Sequence, residues 1–147
     1  MIYINKEDII SVIQQRLIEE SVVLSQGASV DLDDNIFLDN IEEKVIDLVI
    51  SYISGRYKHE DIFADPPIRN GVLVTIIASI VVYRAVRRNA ARKVPEDYLQ
   101  LYNDAIKQLE RIQSGAMKLV NCPVLVNVDG SSVSPLYGNN LNPDNFI

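Results

Sequence analysis

The sequence predicts an all-α protein: a small bundle of four main helices around one central apolar helix at about residues 70–89. Three observations support this. Apolar residues recur every three or four positions, glycines and prolines stand where helices would begin or end, and one long segment is apolar throughout. The 147 residues suffice for one modest core. We expect a helical domain over residues 1–118 and an extended tail over 119–147 that has room for a short β-hairpin.

The first helix is predicted from Asn5 to about Ser21. Asn5 is placed to accept a backbone N–H as N-cap, and one apolar stripe follows at helical spacing, formed by Ile9, Ile13 and Leu17. Residues 19–38 are polar and include Gly27 and the acidic "DLDD". This composition indicates a loop with at most a short helical turn.

The second helix is predicted to follow Asp39 as N-cap, with Glu42 completing a capping box three residues later. Its apolar positions share one side: Ile41, Val45, Leu48, Val49, Tyr52 and Ile53. It closes in "SYISGRYK", residues 51–58. Gly55 is expected to end the helix in a left-handed cap, because glycine enters that conformation without a steric cost.

The central helix is predicted to begin after the proline pair of "FADPPIRN" and to run from Val72 to about Asn89. Many of its residues are β-branched, so local propensity alone would allow a strand. Its length favours a helix, because apolar and helix-compatible residues continue through "YRAVRR". A helix that is apolar on every side is normally enclosed by its neighbours.

The last helix is predicted from Pro95 to Gly115, with an inward stripe at Tyr98, Tyr102, Ala105, Ile106, Leu109 and Ile112. The helical period ends after Gly115. Val124, Val126 and Val128 then alternate as in a strand, and "DGSS" could turn the chain. Because a lone hairpin is marginal in water, we expect this tail to become ordered against a partner.

The net charge of −6 is unevenly distributed. Residues 1–65 carry 14 acidic and 5 basic side chains (5 − 14 = −9), whereas residues 66–118 carry 4 acidic and 9 basic ones (9 − 4 = +5). Oppositely charged patches would let copies of the chain attract one another head to tail. Pairing within one chain explains the same pattern equally well.

Several classes of protein are excluded or disfavoured by composition. One cysteine, Cys122, and one histidine, His59, allow no disulfide framework and no His/Cys metal cluster within one chain. The longest apolar run, residues 72–83, is short for a membrane span, and the N-terminus lacks the pattern of a signal peptide. We expect a soluble protein made in the cytoplasm, without metal or cofactor.

Two groups of residues could carry chemistry. His59 precedes Glu60 and Asp61, but no nucleophile stands nearby in sequence, so a solvated histidine is favoured over a small hydrolase. A basic cluster comprises Arg84, Arg87, Arg88, Arg92 and Lys93. For an isolated chain, cations at a helix C-terminus are favoured as a structural feature. Repeated around a ring, they could form a basic collar on passing DNA without sequence specificity.

The order of these segments resembles a known family. A helix ending in "YISGRY", a proline pair, an apolar helix with "VVYRAVRR" and a last helix "PEDYLQLYNDAIKQLERIQSGAMKL" follow one another over about residues 3–120. This layout resembles the Mu-like phage and prophage head-tail connector (neck adaptor) family, long described as a domain of unknown function. The matching positions are Tyr52, Gly55, Arg56, Tyr57, Pro66, Pro67, Tyr83, Arg84, Arg88, Tyr98, Tyr102, Ala105 and Gly115.

The resemblance implies a non-enzymatic adaptor at the head–tail interface of a virion. Copies would form a ring beneath the portal protein, joined to neighbouring neck or tail components, around the DNA passage. It also implies that the tail, with Val124, Val126 and Val128, docks onto the portal. Arg56 and Tyr57 are residue types favoured at interfaces, and we expect them to contact a neighbouring subunit. The alternative is a small helical DNA-binding or regulatory protein that uses the cluster from Arg84 to Lys93.

Overall fold

The computed structural model describes residues 1–26, 31–32, 35–88 and 94–131. Within these ranges the chain forms six helices and no β-sheet, so the prediction of an all-α bundle is confirmed. The helices are α1 (Lys6–Val12), α2 (Gln15–Gln26), α3 (Ile36–Ile53), α4 (His59–Ile62), α5 (Gly71–Arg88) and α6 (Glu96–Ser114). None of them is long and apolar enough to cross a membrane.

The first predicted helix is two helices. Asn5 caps α1 as expected, in a capping box with Asp8, but the chain is extended at Ile13 and α2 begins at Gln15. The loop predicted from residue 19 was wrong, because α2 continues to Gln26. Gln15 and Arg16 are exposed in its first turn, and the Arg16 guanidinium donates to Glu20 four residues later (3.1 Å). The polar composition of residues 19–26 therefore did not mark a break in the helix.

The start of α3 also differs from the prediction. Asn35 is the N-cap, and its Oδ1 accepts the backbone N–H groups of Phe37 (3.0 Å) and Leu38 (3.2 Å). The cap predicted at Asp39 was wrong, because Asp39 already lies in the first turn. Glu42 does not close a capping box, since its carboxylate is engaged elsewhere.

Glu42 is buried, 1% exposed, and fastens the N-terminal segment to α3. Its Oε1 accepts the backbone N–H groups of Tyr3 and Ile4 (2.8 Å each), and its Oε2 accepts that of Ile2 (2.6 Å). Tyr3 is buried in turn, and its hydroxyl donates to the carbonyl of Ile68 (2.9 Å). One carboxylate thus satisfies three N–H groups of a segment that has no secondary structure of its own.

Helix α5 is the centre of the bundle, as the sequence predicts, and it packs against α1, α2, α3 and α6. Every residue from Ile76 to Val82 is buried, so α5 presents apolar side chains in all directions. Asn70 caps its first turn, since Oδ1 accepts the N–H groups of Val72 (3.0 Å) and Leu73 (3.3 Å). The Nδ2 group of Asn70 donates to the carbonyl of Val120 (2.7 Å), which joins the start of α5 to the segment after α6.

The two predicted glycine stops have different outcomes. Gly115 ends α6 with φ +82°, in the left-handed region, as predicted. The same prediction for Gly55 was wrong, because its φ is not positive. The chain continues in a tight turn instead, where the N–H groups of Arg56 and Tyr57 both donate to the carbonyl of Ile53 (2.9 Å each).

The first part of the predicted tail packs against the helices. Leu119 and Cys122 are buried, and an antiparallel bridge pairs Val124 with Tyr57. Residues 127–131 form a turn of the hairpin type: the N–H of Asn127 donates to Ser131 (2.7 Å), and Gly130 has φ +81°. Residues 132–147 lie outside the described residues. The division into a domain over 1–118 and a tail over 119–147 stays a prediction.

Replacing Glu42 by Gln tests the carboxylate anchor. The amide would turn an NH₂ group toward at least one of the three N–H donors, so we expect a loss of about 1–3 kcal/mol in the free energy of unfolding. Urea denaturation followed by circular dichroism measures it. Glu43→Gln is the matched control on the exposed side of α3, with an expected change within about 0.5 kcal/mol. Equal effects of the two substitutions would show that the buried contacts contribute nothing.

Candidate functional site

The end of α3, the end of α6 and the segment that follows α6 meet at one place. We call this the Arg56 junction; it comprises residues 56–58, 113–119 and 122–125. The Arg56 guanidinium donates from Nε to the carbonyl of Gln113 (2.7 Å) and from Nη2 to the carbonyl of Ser114 (2.9 Å). The last carbonyls of a helix have no partner within the helix and carry its negative dipole end. Arg56 therefore caps α6 with a positive charge supplied from the turn after α3.

Gly115 allows this contact. A Cβ atom built at residue 115 would lie 2.6 Å from Cζ of Arg56 and 2.7 Å from both terminal guanidinium nitrogens. The guanidinium thus lies directly against the glycine, and the left-handed φ of +82° independently favours glycine. Gly115 and Arg56, which the sequence places 59 positions apart, form one structural unit.

Tyr57 holds the segment after α6. Its hydroxyl accepts the backbone N–H of Leu119 (2.9 Å), and its side chain is buried at 4% exposure. On either side of Tyr57, the N–H of Lys58 donates to Pro123 and the carbonyl of Arg56 accepts from Leu125 (2.9 Å each). Residues 56–58 therefore fix the path of the chain from Gly115 to Leu125.

A pocket of about 300 Å³ opens beside these contacts. Its lining is formed by Arg56, Tyr57, Gly115, Lys118, Leu119, Cys122 and Val124. The lining combines two cations with apolar groups and contains no carboxylate among the described residues. Burial raises the pKa of the Cys122 thiol, which keeps it in the neutral form and makes it a poor nucleophile.

The structure gives Arg56 and Tyr57 contacts within their own chain, where the sequence predicted contacts with a neighbouring subunit. That interface stays a prediction, and the surface available for it is the open side of Arg56 and the pocket, because Tyr57 is buried. Sequence reasoning did not find Gln113, Ser114 or Lys118. Gly115 is the sequence signal that could have found them. Sequence reasoning interprets Gly115 only as a helix stop, although its lack of a side chain also leaves room for the Arg56 guanidinium.

The predicted basic cluster lies at the opposite end of α5 from Asn70. Arg84 is half-buried, whereas Arg87 and Arg88 are exposed. Cζ of Arg88 lies 4.3 Å from the centroid of the Phe37 ring, a cation–π contact that ties α5 to the start of α3. In the part of the chain that the structure describes, no carboxylate pairs with these three arginines. Arg92 and Lys93 lie outside the described residues.

The three valines proposed for portal docking lie on the segment that leaves the Arg56 junction. Val124 is 49% exposed, Val126 is 54% exposed, and Val128 is fully exposed in the turn. The turn is fixed by Asp129, whose Oδ1 accepts from the N–H (2.9 Å) and the hydroxyl (2.6 Å) of Ser131. These hydrogen bonds stabilise the carboxylate and lower the pKa of Asp129.

His59 shows only a local contact, since its Nε2 lies 3.4 Å from a carboxylate oxygen of the adjacent Glu60. Within the described ranges, no three His, Cys, Asp or Glu side chains are grouped closely enough to hold a metal ion.

Comparison with known proteins identifies one family. The family described as "Bacteriophage Mu, Gp36" matches residues 3–122. The matched range begins in the segment that Glu42 holds and ends at Cys122, so it contains all six helices and most of the Arg56 junction. No curated protein matches the chain.

Gly115→Ala tests the packing of Arg56 against α6. The left-handed φ and the guanidinium both oppose a Cβ atom, so we expect the free energy of unfolding to fall by about 2–4 kcal/mol. In an Arg56→Ala background the same change should cost at least about 1 kcal/mol less, because only the backbone strain remains.

Gly55→Ala is the matched control for this cycle. No heavy atom lies within 4 Å of a Cβ built at residue 55, and its φ is not positive. We expect a change of at most about 1 kcal/mol, measured by the same denaturation. Additive effects of Gly115→Ala and Arg56→Ala would contradict the proposed contact.

Proposed function

The chain belongs to the "Bacteriophage Mu, Gp36" family, a family of phage proteins, and from this premise we propose that it is a head-tail connector of a virion. In this proposal it has no enzymatic activity. Several copies form a ring between the portal protein and the neighbouring neck or tail component, and the ring surrounds the DNA passage. The match to a phage family over residues 3–122 is the observation that carries the proposal.

The exposed valine segment supports contact with a second protein. Val120, Val124, Val126 and Val128 are all exposed, and the last three are spaced two residues apart. The chain leaves the bundle here along a path fixed by backbone hydrogen bonds to Arg56 and Lys58. We propose that this segment docks onto the portal, because a fixed starting point lowers the entropy cost of ordering it against a partner.

The arginines at the end of α5 suit the wall of a DNA channel. Three cations without carboxylate partners among the described residues would attract phosphates without reading the base sequence. A ring of identical subunits would repeat these arginines around the channel and so strengthen the attraction for DNA phosphates. The protein would be made in the host cytoplasm, exist as a monomer in solution, and reach the head–tail interface when the virion is assembled.

Electron microscopy of the chain mixed with its portal protein tests the proposal. We expect an additional ring of density on one face of the portal, absent from the portal alone. A truncated chain that ends at Ser131 serves as the comparison, since it keeps every described contact of the Arg56 junction. Virions in which this protein lies away from the neck, or from which it is absent, would contradict the connector role.

A second candidate, a DNA-binding or regulatory protein, is favoured by the exposure of Arg87 and Arg88. It requires that the isolated chain bind duplex DNA with a steep salt dependence. If so, the double substitution Arg84→Ala and Arg87→Ala should lower the affinity for duplex DNA. It should also reduce the slope of the salt dependence by the amount expected for about two phosphate contacts. Arg16→Ala is the control, because Arg16 is an exposed arginine of α2 that pairs with Glu20. Absence of DNA binding by the free chain would leave the connector as the better explanation.

A further inference from the structure

The pocket beside Arg56 has the chemistry of a carboxylate-binding site. Arg56 and Lys118 supply two cations, and Tyr57, Leu119, Cys122 and Val124 supply an apolar wall. No acidic side chain among the described residues lines the pocket. We propose that it binds an Asp or Glu side chain, next to an aliphatic residue, from an extended segment of a partner protein.

The orientation of Arg56 supports this proposal. A guanidinium has five N–H donors in one plane. The bonds to Gln113 and Ser114 use Nε and one donor of Nη2, and no described residue accepts from Nη1. The edge formed by Nη1 and the second Nη2 donor therefore remains available, and that edge can bind a carboxylate with two parallel hydrogen bonds.

The group is also preorganised. Contact with Gly115 fixes the plane of the guanidinium, and the two carbonyl bonds fix its rotation. Both acceptors are neutral, so the positive charge of Arg56 has no carboxylate partner within the described chain. An arginine held in one geometry loses little further side-chain entropy when it binds, which favours a specific contact.

The volume and the lining limit the occupant. About 300 Å³ accommodates one or two side chains but not a folded element. The apolar wall favours an aliphatic neighbour of the acidic residue, and the two cations disfavour lysine or arginine. Only the assignment of this partner to a component of the phage neck rests on the proposed function; the binding chemistry rests on the residues of the pocket.

A pair of capped peptides tests the site: Ac-Ala-Val-Glu-Val-Ala-NH₂ and the same peptide with Gln in place of Glu. Each peptide is titrated into the ¹⁵N-labelled full chain and binding is followed by NMR. Binding should shift the amide signals of Gly115, Lys118, Leu119 and Cys122. We expect the Glu peptide to bind about tenfold more tightly than the Gln peptide, which corresponds to one charge-assisted interaction. Equal affinities, or shifts confined to the opposite end of α5, would overturn the proposal.

Two charge reversals complete the test. Lys118→Glu should weaken binding of the Glu peptide about tenfold, because an anion replaces one of the two cations. Lys44→Glu is the matched control: Lys44 is exposed on α3, outside the pocket, and the change in net charge is identical. A loss of affinity in both variants would show that net charge alone attracts the peptide, and the proposal would fail.

Two further outcomes separate this proposal from others. If deletion of residues 132–147 raises the affinity for the Glu peptide, the chain's own C-terminal segment is the occupant and a partner segment is not. Ring formation on the portal by the Lys118→Glu variant, together with unchanged peptide binding in that variant, would overturn the pocket proposal and leave the connector function intact. Binding of the Glu peptide in the pocket without any ring on the portal would support the pocket proposal and contradict the connector function.

Discussion

The structure depends first on the burial of α5. Because α5 is apolar on every side, it is stable in water only when other helices cover it, and α1, α2, α3 and α6 do so. Helices that surround one central helix leave their ends at the two ends of the bundle. One end gathers Phe37 and the arginines of α5; the other gathers Asn70, the close of α3 and the close of α6. The features proposed to act on partners therefore lie at the ends of the bundle.

A small number of polar contacts fix the segments that have no helical structure. Glu42 binds the N-terminal residues, Tyr3 binds the approach to α5, and Tyr57 with Arg56 binds the segment after α6. Each contact joins residues 38 or more positions apart and gives a hydrogen-bond partner to backbone groups that helical hydrogen bonds do not satisfy. The loops and the end of α6 are thus held by tertiary contacts, which explains how a chain with one modest core can present a defined surface.

The Arg56 junction connects this architecture to the proposed role. Capping α6 uses only part of the guanidinium, so the same residue can stabilise the fold and bind a carboxylate. The exposed valines include Val124 in the wall of the pocket and continue beyond it to Val126 and Val128. A partner segment bound at the pocket and a partner surface docked on the valines would therefore be adjacent. The arginines of α5, at the other end, would be free to face DNA.

By itself, the sequence determined the helical class, the central position of α5, and the ends of α5 and α6, because apolar periodicity and glycine or proline positions act locally. It did not determine the break at Ile13, the true cap at Asn35 or the conformation of Gly55, since competing local signals differ by little energy. Only the tertiary structure decided that Glu42 binds a distant backbone and that Arg56 lies against Gly115. Those contacts join residues far apart in the chain, and a local pattern of residue types carries no record of which distant backbone group will be their partner.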